Sequence, residues 1–336
     1  MPDKKPVLLS GIQPSGHLCI GNYLGALKNW ESLQESHDSI FLVVDMHALT
    51  VKQNPAKLRQ TCLSYVAQYI ACGIDPEIST IVIQSHVPQH AELMWILSTI
   101  TYMGELNRMT QFKDKSKKHS TNINAGLFTY PILMASDILI YQADLVPVGS
   151  DQKQHLELAR DLAERFNTQY SDTFVVPEPY IPKSGARIMS LQEPNKKMSK
   201  SDNNLNNIIA ILDSPDIIRK KIQRAVTDSS LEIKIDESQP GISNLINLYA
   251  LISDMSTSEV EKRFEGKMYS YFKLDLGDVM VDFLQPIQQK YEEISQNKAF
   301  LESILKKGAE NAYYRARKTL SKVYRKVGFI PNISVQ

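Results

Sequence analysis

The chain of 336 residues carries 38 Lys plus Arg against 37 Asp plus Glu, a formal net charge of +1, with 43% hydrophobic and 22% charged residues. A length of this order suggests about two domains with enough chain to bury a sizeable core. The composition excludes disorder, collagen, a coiled coil and a histone-like polycation, although balanced charge says nothing about where a local nucleic-acid surface sits.

The N-terminal Val7-Leu8-Leu9 is too short for the apolar region of a signal peptide. No apolar run approaches the roughly 18 residues of a membrane span, so no membrane partner is expected. Cys19, Cys62 and Cys72 make no CxxC motif and no paired framework, which suits free thiols in a cytoplasmic protein.

Val7 to Ser10 predicts a strand, followed by the turn-rich Gly11-Ile12-Gln13-Pro14-Ser15-Gly16. Leu24, Leu27 and Trp30 recur at helical spacing over 21–33. Ile40 to Asp45 reads as a strand buried on both faces. Pro55 to Cys72 predicts a helix that opens on proline, with Gly73 as its C-cap. Thr80 to Gln84 and Leu145 to Val148 are two further strands. Strands separated by helix-length segments imply βαβ units and a mostly parallel α/β sheet. Three prolines in 176–185 mark irregular chain. Beyond Asp213 the pattern is helical: Ser214-Pro215 opens a helix striped by Ile217, Ile218, Ile222 and Val226. A last amphipathic helix carries Ala309, Ala312, Tyr313, Ala316, Leu320, Val323, Tyr324 and Val327 on one face. The layout is an α/β domain followed by a smaller all-α one.

Two segments carry chemistry. Gln13-Pro14-Ser15-Gly16-His17-Leu18-Cys19-Ile20-Gly21-Asn22 joins the first strand to the first helix, where a parallel sheet binds ligands and a helix N-terminus attracts phosphate. Taken alone, it equally suits a Gly/Pro-rich loop with no ligand. Lys196-Lys197-Met198-Ser199-Lys200-Ser201-Asp202 places lysines and hydroxyls where a polyphosphate would need neutralising, or is a solvated charge run.

Together the two resemble a known pair. Cys19-Ile20-Gly21-Asn22 occupies the place of the HIGH signature, and Lys197-Met198-Ser199-Lys200-Ser201 matches the KMSKS signature of class I aminoacyl-tRNA synthetases. The segments 10–16, 104–113, 146–155, 185–190, 226–229 and 240–244 resemble the bacterial tryptophanyl-tRNA synthetase branch of that family, over nearly the whole chain. The resemblance implies a Rossmann-type catalytic domain over 1–196, with a dimer-forming helical insertion around 85–135, and a KMSKS loop over 197–204. A helical anticodon-binding region would follow over 205–336, its last helix able to pack back on the catalytic domain. It implies a homodimer that uses ATP and Mg²⁺ to activate L-tryptophan and then charges tRNA(Trp), with no DNA partner and no resident metal.

The site residues follow from the same resemblance. Gln13, Pro14, Ser15, Gly21 and Asn22 would contact ATP, with Gly149, Ser150 and Asp151 beside the ribose and Ile188 at the adenine. Lys197, Met198, Ser199, Lys200 and Ser201 would close over the phosphates. Lys197 and Lys200 would stabilise the leaving pyrophosphate, with Lys115 as a third candidate catalytic residue. Lys115 lies in a basic stretch that reads equally as a solvated helix end. Gln152 and His47 would line the amino-acid pocket, although His47 also suits a loop-capping role.

Tyr130, Met134 and Asp137, at offsets of four and three, share one helix face. That trio suits a flat apolar ring with one N–H donor, or a core stripe; with the resemblance, Asp137 is the expected acceptor for the indole N–H. Met134 cannot donate a hydrogen bond, which favours tryptophan over tyrosine. The alternatives are a tyrosyl-tRNA synthetase, a synthetase-like RNA-binding protein without catalysis, or a nucleotidylyltransferase with a small acceptor. Cys19 stands where threonine is commoner and reads as a small core residue rather than a catalytic group.

The near-neutral total also conceals opposed patches. Residues 301–336 hold eight basic residues against two acidic, and 228–265 hold eight acidic against three basic. That separation suits a protein that attracts a tRNA backbone and releases it, or is the wet face of a terminal helix.

Overall fold

Five parallel strands form the sheet: β1 (Val7–Ile12), β2 (Asp38–Val43), β3 (Thr80–Ile83), β4 (Leu145–Pro147) and β5 (Glu178–Tyr180), in the order β3-β2-β1-β4-β5. This is a computed structural model, and it describes residues 5–112, 123–149, 152–181, 187–228 and 232–330. Along β1 and β2 the side chains alternate between two cores. Leu8, Phe41 and Val43 face one core, while Val7, Leu9, Ile40 and Leu42 face the other, as the period-2 pleat requires.

Helices cover both faces of the sheet. After β1 the chain enters α1 (Ile20–Asn22) and passes through a π-helical turn, Tyr23–Leu27, into α2 (Lys28–Leu33). The crossover from β2 to β3 contains α3 (Asp45–Ala48) and α4 (Pro55–Ala71). Asn54 caps α4 by accepting from Lys57 N, and Gly73, at φ +102°, lets the chain leave it. Trp30 stacks on Phe41 at 4.6 Å and meets Tyr69 edge-on, which ties α2 and α4 to β2.

On the other face, α5 (Gln89–Ser98) and α6 (Met103–Asn107) precede α7 (Ala125–Ile140), and α8 (Lys153–Gln169) follows β4. The inner residues of α7, Leu127 to Ile140, are nearly all buried, because this helix is apolar around most of its circumference.

The C-terminal third is helical: α9 (Pro215–Gln223), α10 (Pro240–Ser253), α11 (Thr257–Arg263), α12 (Tyr269–Gln296) and α13 (Lys298–Val327). The core beneath one sheet face continues through α4 into this region, where it includes Ile218, Leu245, Tyr249, Phe272 and Leu284. Helix α13 returns to the sheet and packs against β3 at Gly308. A Cβ there would lie 1.9 Å from the Ile81 carbonyl oxygen, so only glycine permits this approach.

Several sequence expectations shift. The strand expected to run to Asp45 ends at Val43, because Asp45 opens α3 and accepts from Ser85 N and Oγ. Within the proline-rich stretch lies β5, which the turn signals concealed. Pro179 is tolerated because β5 is an edge strand, where a missing N–H leaves no neighbour unpaired. In the α9 stripe, Ile218 and Ile222 are buried whereas Ile217 is exposed, and Val226, also exposed, lies beyond the helix end at Gln223. The helix turns only the first pair toward the core.

Candidate active site

The strand order reverses between β1 and β4, and the crevice beyond their C-terminal ends is where an open parallel sheet binds ligands. Gln13-Pro14-Ser15-Gly16 leaves β1 into this crevice. Gly149 follows β4 on the other side, and its carbonyl accepts the Gln152 N–H at 3.0 Å. The Lys197–Ser201 loop docks on the first of these segments. The Lys200 carbonyl accepts from His17 N at 3.1 Å, and the Lys200 ammonium donates to the Gln13 carbonyl. Gly16 makes the fit possible. Its φ is +68°, and a Cβ would stand 1.9 Å from the Lys200 carbonyl oxygen. Burial pushes the Lys200 ammonium down to about 7.

Further contacts join the two segments. Gly21 faces Met198 and Ile188, with Cβ separations of 3.6 and 3.7 Å if it carried one. Met198 is buried and its N–H donates to the Ile188 carbonyl at 2.9 Å; Ile188 is itself buried. Lys197, Ser199 and Ser201 are exposed, and the two serine hydroxyls lie 3.2 Å apart. From α10, Asn244 brackets the strip below the loop, accepting from Met189 N and donating to its carbonyl.

Asn22 holds the start of α1. Its Oδ1 accepts from Cys19 N and Cys19 Sγ, both at 3.2 Å. With that oxygen engaged, the NH₂ end is the part able to donate to an anion. Cys19 is fully buried, and an isolated bridge pairs it with Ala210.

The second half of the site is centred on Asp137, buried on α7. Its Oδ2 lies 2.8 Å from His47 Nε2; its Oδ1 accepts from Gln84 Nε2 at 2.6 Å and lies 2.7 Å from His90 Nδ1. An ionised carboxylate only accepts, so both histidines donate here. The His90 tautomer with Nδ1–H toward Asp137 leaves Nε2 to accept the Tyr141 hydroxyl at 2.8 Å. Burial pushes the Asp137 carboxyl up. The bonds from His47 and then His90 outweigh that, and the group lies below the ordinary aspartate value. Tyr130, one face-turn away, has its hydroxyl 2.9 Å from His155 Nε2 and its ring 6.3 Å from that of His47. Met134 is half-buried between them in sequence. The arrangement is a buried anionic acceptor flanked by aromatic rings, with one lone-pair position on Oδ2 beyond the bond to His47.

The family model for class I tRNA synthetases (W and Y) matches residues 1–285. The tryptophan–tRNA ligase of Clostridium acetobutylicum is 57% identical over 331 residues, covering 98% of this chain and 99% of the relative. The chain belongs to the class I tRNA synthetases of the tryptophan and tyrosine group. Solved relatives agree with this synthetase in fold. The tryptophanyl-tRNA synthetase of Mycoplasma pneumoniae superposes with a TM-score of 0.89 at 36% identity, over 97% of this chain and 98% of that one. The Campylobacter jejuni enzyme, solved with ADP and tryptophan, gives 0.85 at 37% identity, over 96% and 100%.

In this synthetase the structure unites Gln13, Gly16, Gly21, Ile188, Met198 and Lys200 in one cluster, and His47 with Asp137 in another. Lys115, Ser150 and Asp151 lie outside the described residues. Gln152 sits at the N-cap of α8. Sequence reasoning missed Gln84, His90 and Tyr141 around Asp137, Tyr65 beneath the first loop, and Asn244. A buried Gln or His in a strand-end segment was the available signal, and it is too common to single out.

Cys19, Cys62 and Cys72 are all buried. Burial raises the Cys19 thiol and pushes those of Cys62 and Cys72 up to about 12. A thiol reagent at pH 8 is therefore expected to titrate almost none of the three in the native synthetase and all three in denaturant. Rapid native labelling of Cys19 would contradict its burial at the start of α1.

Proposed function

We infer that this synthetase is a tryptophan–tRNA ligase: it activates L-tryptophan with ATP to tryptophanyl-adenylate, releases pyrophosphate, and transfers the aminoacyl group to the 3′-terminal adenosine of tRNA(Trp). The observation that carries the amino-acid choice is Asp137, a buried acceptor kept ionised by two histidines, with Met134 on the same helix face. An indole presents one N–H and a flat apolar surface. A phenylalanine ring would leave the acceptor unmet, and Met134 has nothing to donate to a phenol oxygen.

In the first step the tryptophan carboxylate attacks the α-phosphorus, an O–P bond forms, and the bond to the bridging oxygen of pyrophosphate breaks. The protein forms no covalent bond, so its work is positioning and charge stabilisation. Gln13, Pro14, Ser15, Gly21, Asn22 and Gly149 would line the nucleotide, with Ile188 at the adenine. Lys200 and Lys197 would meet the charge that develops on pyrophosphate, with Met198, Ser199 and Ser201 completing the loop. Mg²⁺ bound to the triphosphate would share that charge. The donor set fits such a substrate-borne ion: the loop carboxylate Asp202 already accepts from Asn204 N and Asn207 Nδ2, and lysines and hydroxyls make up the rest.

The helical region over 205–336, basic at its end, would read the tRNA. Exposed Trp95, Tyr102 and Met103 on α5 and α6 support a homodimer built through the segment around 85–135. No helix among the described residues is long and apolar enough to cross a membrane.

The deciding experiment is ATP–pyrophosphate exchange with single amino acids. Exchange is expected with tryptophan and to be at least about 10²-fold weaker in kcat/KM with tyrosine or phenylalanine, the discrimination available to a buried acceptor left unpaired. Equal support by tyrosine would assign the pocket to the other branch of the family; exchange with no amino acid would overturn the reading altogether.

A further inference from the structure

Tyr65 lies on the inner face of α4 and is 1% exposed, yet its polar end is not directed to its own helix or to the sheet. Its hydroxyl donates to the Ser15 carbonyl at 2.9 Å, with the Gly16 carbonyl at 3.5 Å. Its ring face lies under the Lys200 ammonium, 5.2 Å from Nζ to the centroid, inside the range of a cation–π contact. One turn along α4, Tyr69 makes the contrast. Its hydroxyl donates to the Leu42 carbonyl at 3.1 Å, within the sheet.

We propose that Tyr65 is a positioning residue for the ATP site, its hydroxyl fixing the Ser15–Gly16 turn and its ring face seating the Lys200 ammonium against the Gln13 carbonyl. One rigid side chain thereby sets the separation of the two loops that must grip a single triphosphate. Burial pushes the phenol far above its ordinary value, so the hydroxyl is a permanent donor and never a repelling phenolate. A tyrosine has two side-chain torsions, and both ends of this one are engaged. Its ordering therefore costs little relative to the two loops it orders. A core residue of the same volume without the hydroxyl and the aromatic face would fill the space and leave both loops to find their own positions.

The proposal rests on the reading of these loops as the ATP site, and direct binding separates the two. Calorimetric titration of the full-length enzyme with ATP, alongside tryptophan titration and exchange kinetics, is carried out on wild type, Tyr65→Phe and Tyr65→Leu. Tyr65→Phe keeps the ring and loses the hydrogen bond. It is expected to weaken ATP binding about fivefold, the value of one neutral hydrogen bond, with tryptophan binding within twofold of wild type. Tyr65→Leu loses both contacts and is expected to lower kcat of exchange about tenfold in addition. Lys200→Met introduced into Tyr65→Leu should then lower kcat at least threefold less than it does in the wild-type background, because the two residues act through one contact. ATP binding within twofold of wild type in both variants would overturn the proposal. So would parallel losses of ATP and tryptophan affinity that track a fall in Tm, the signature of a packing residue. If Tyr65→Leu does not fold, Tyr65→Phe decides alone. Failure of the wild-type protein to bind ATP would instead sink the assignment of the site itself.

Discussion

Asp137→Asn raises the KM for tryptophan in pyrophosphate exchange by about 10- to 100-fold, the value of a hydrogen bond to a charged acceptor, and leaves the KM for ATP within about threefold. The same substitution destabilises the fold. The carboxylate accepts from His47, His90 and Gln84, donors carried by α3, by α5 and by the turn after β3. An amide must set its own NH₂ against one of them. Leaving a buried donor unmet in place of its charged acceptor costs about 1–3 kcal/mol, readable as a lower urea midpoint. The sign of the pH dependence follows from the lowered carboxyl. Its stabilisation is fully present above the unfolded aspartate value of about 3.9 and is lost as pH falls through the lower folded value. The stability gap between wild type and Asp137→Asn is therefore flat above about pH 5 and closes in acid. An unchanged tryptophan KM in a folded, destabilised variant would make Asp137 a structural anchor only.

Lys200→Met lowers kcat of exchange by about 10²- to 10³-fold, the usual result of removing one donor that meets charge developing in the transition state. Its pH signature is specific. Burial holds the ammonium at about 7 in the free protein, far below the unfolded value of about 10.4. The kcat/KM for ATP, which reports free-enzyme ionisations, should fall as pH rises through about 7. The profile of kcat itself should fall at higher pH, because bound triphosphate favours the charged amine. For stability the sign is opposite to that of Asp137. A lowered amine costs stability fully below about pH 7 and is relieved as pH rises toward the unfolded value, so Lys200→Met should be the more stable protein at pH 6 and lose that advantage by pH 10. Identical pH profiles for wild type and variant would remove Lys200 from the reaction.

These two residues differ in how far the sequence disclosed them. Lys200 belongs to a contiguous run, Lys197 to Ser201, whose chemistry and resemblance are local and legible. The first loop and its glycines are legible for the same reason. So were Pro55 and Gly73 as the ends of α4, because capping depends on residues within a turn of the helix end. The alternation that builds β1 and β2 is equally local. Asp137 was legible as one corner of a helix face shared with Tyr130 and Met134; of its partners only His47 was placed at the same pocket, through the resemblance, and Gln84 and His90 were not. His47, Gln84 and His90 stand 90, 53 and 47 residues away, and no period in the chain links them.

By itself, then, the sequence determined most of the element types, though not the edge strand β5, and the two loop signatures and the family, all of which rest on short-range spacing. The tertiary structure decided what those elements do together. Parallel strands bring their C-terminal ends to one edge of the sheet, so segments distant in the chain converge on the same crevice. There the two histidines hold the carboxyl of Asp137 low while Gln84 donates to it, and the Lys200 carbonyl meets a glycine that no other residue could replace. The hydroxyl of Tyr65, on a helix that pattern alone marks only as core, reaches the Ser15 carbonyl. Burial and hydrogen bonding set these properties, and both depend on neighbours that only the folded chain supplies.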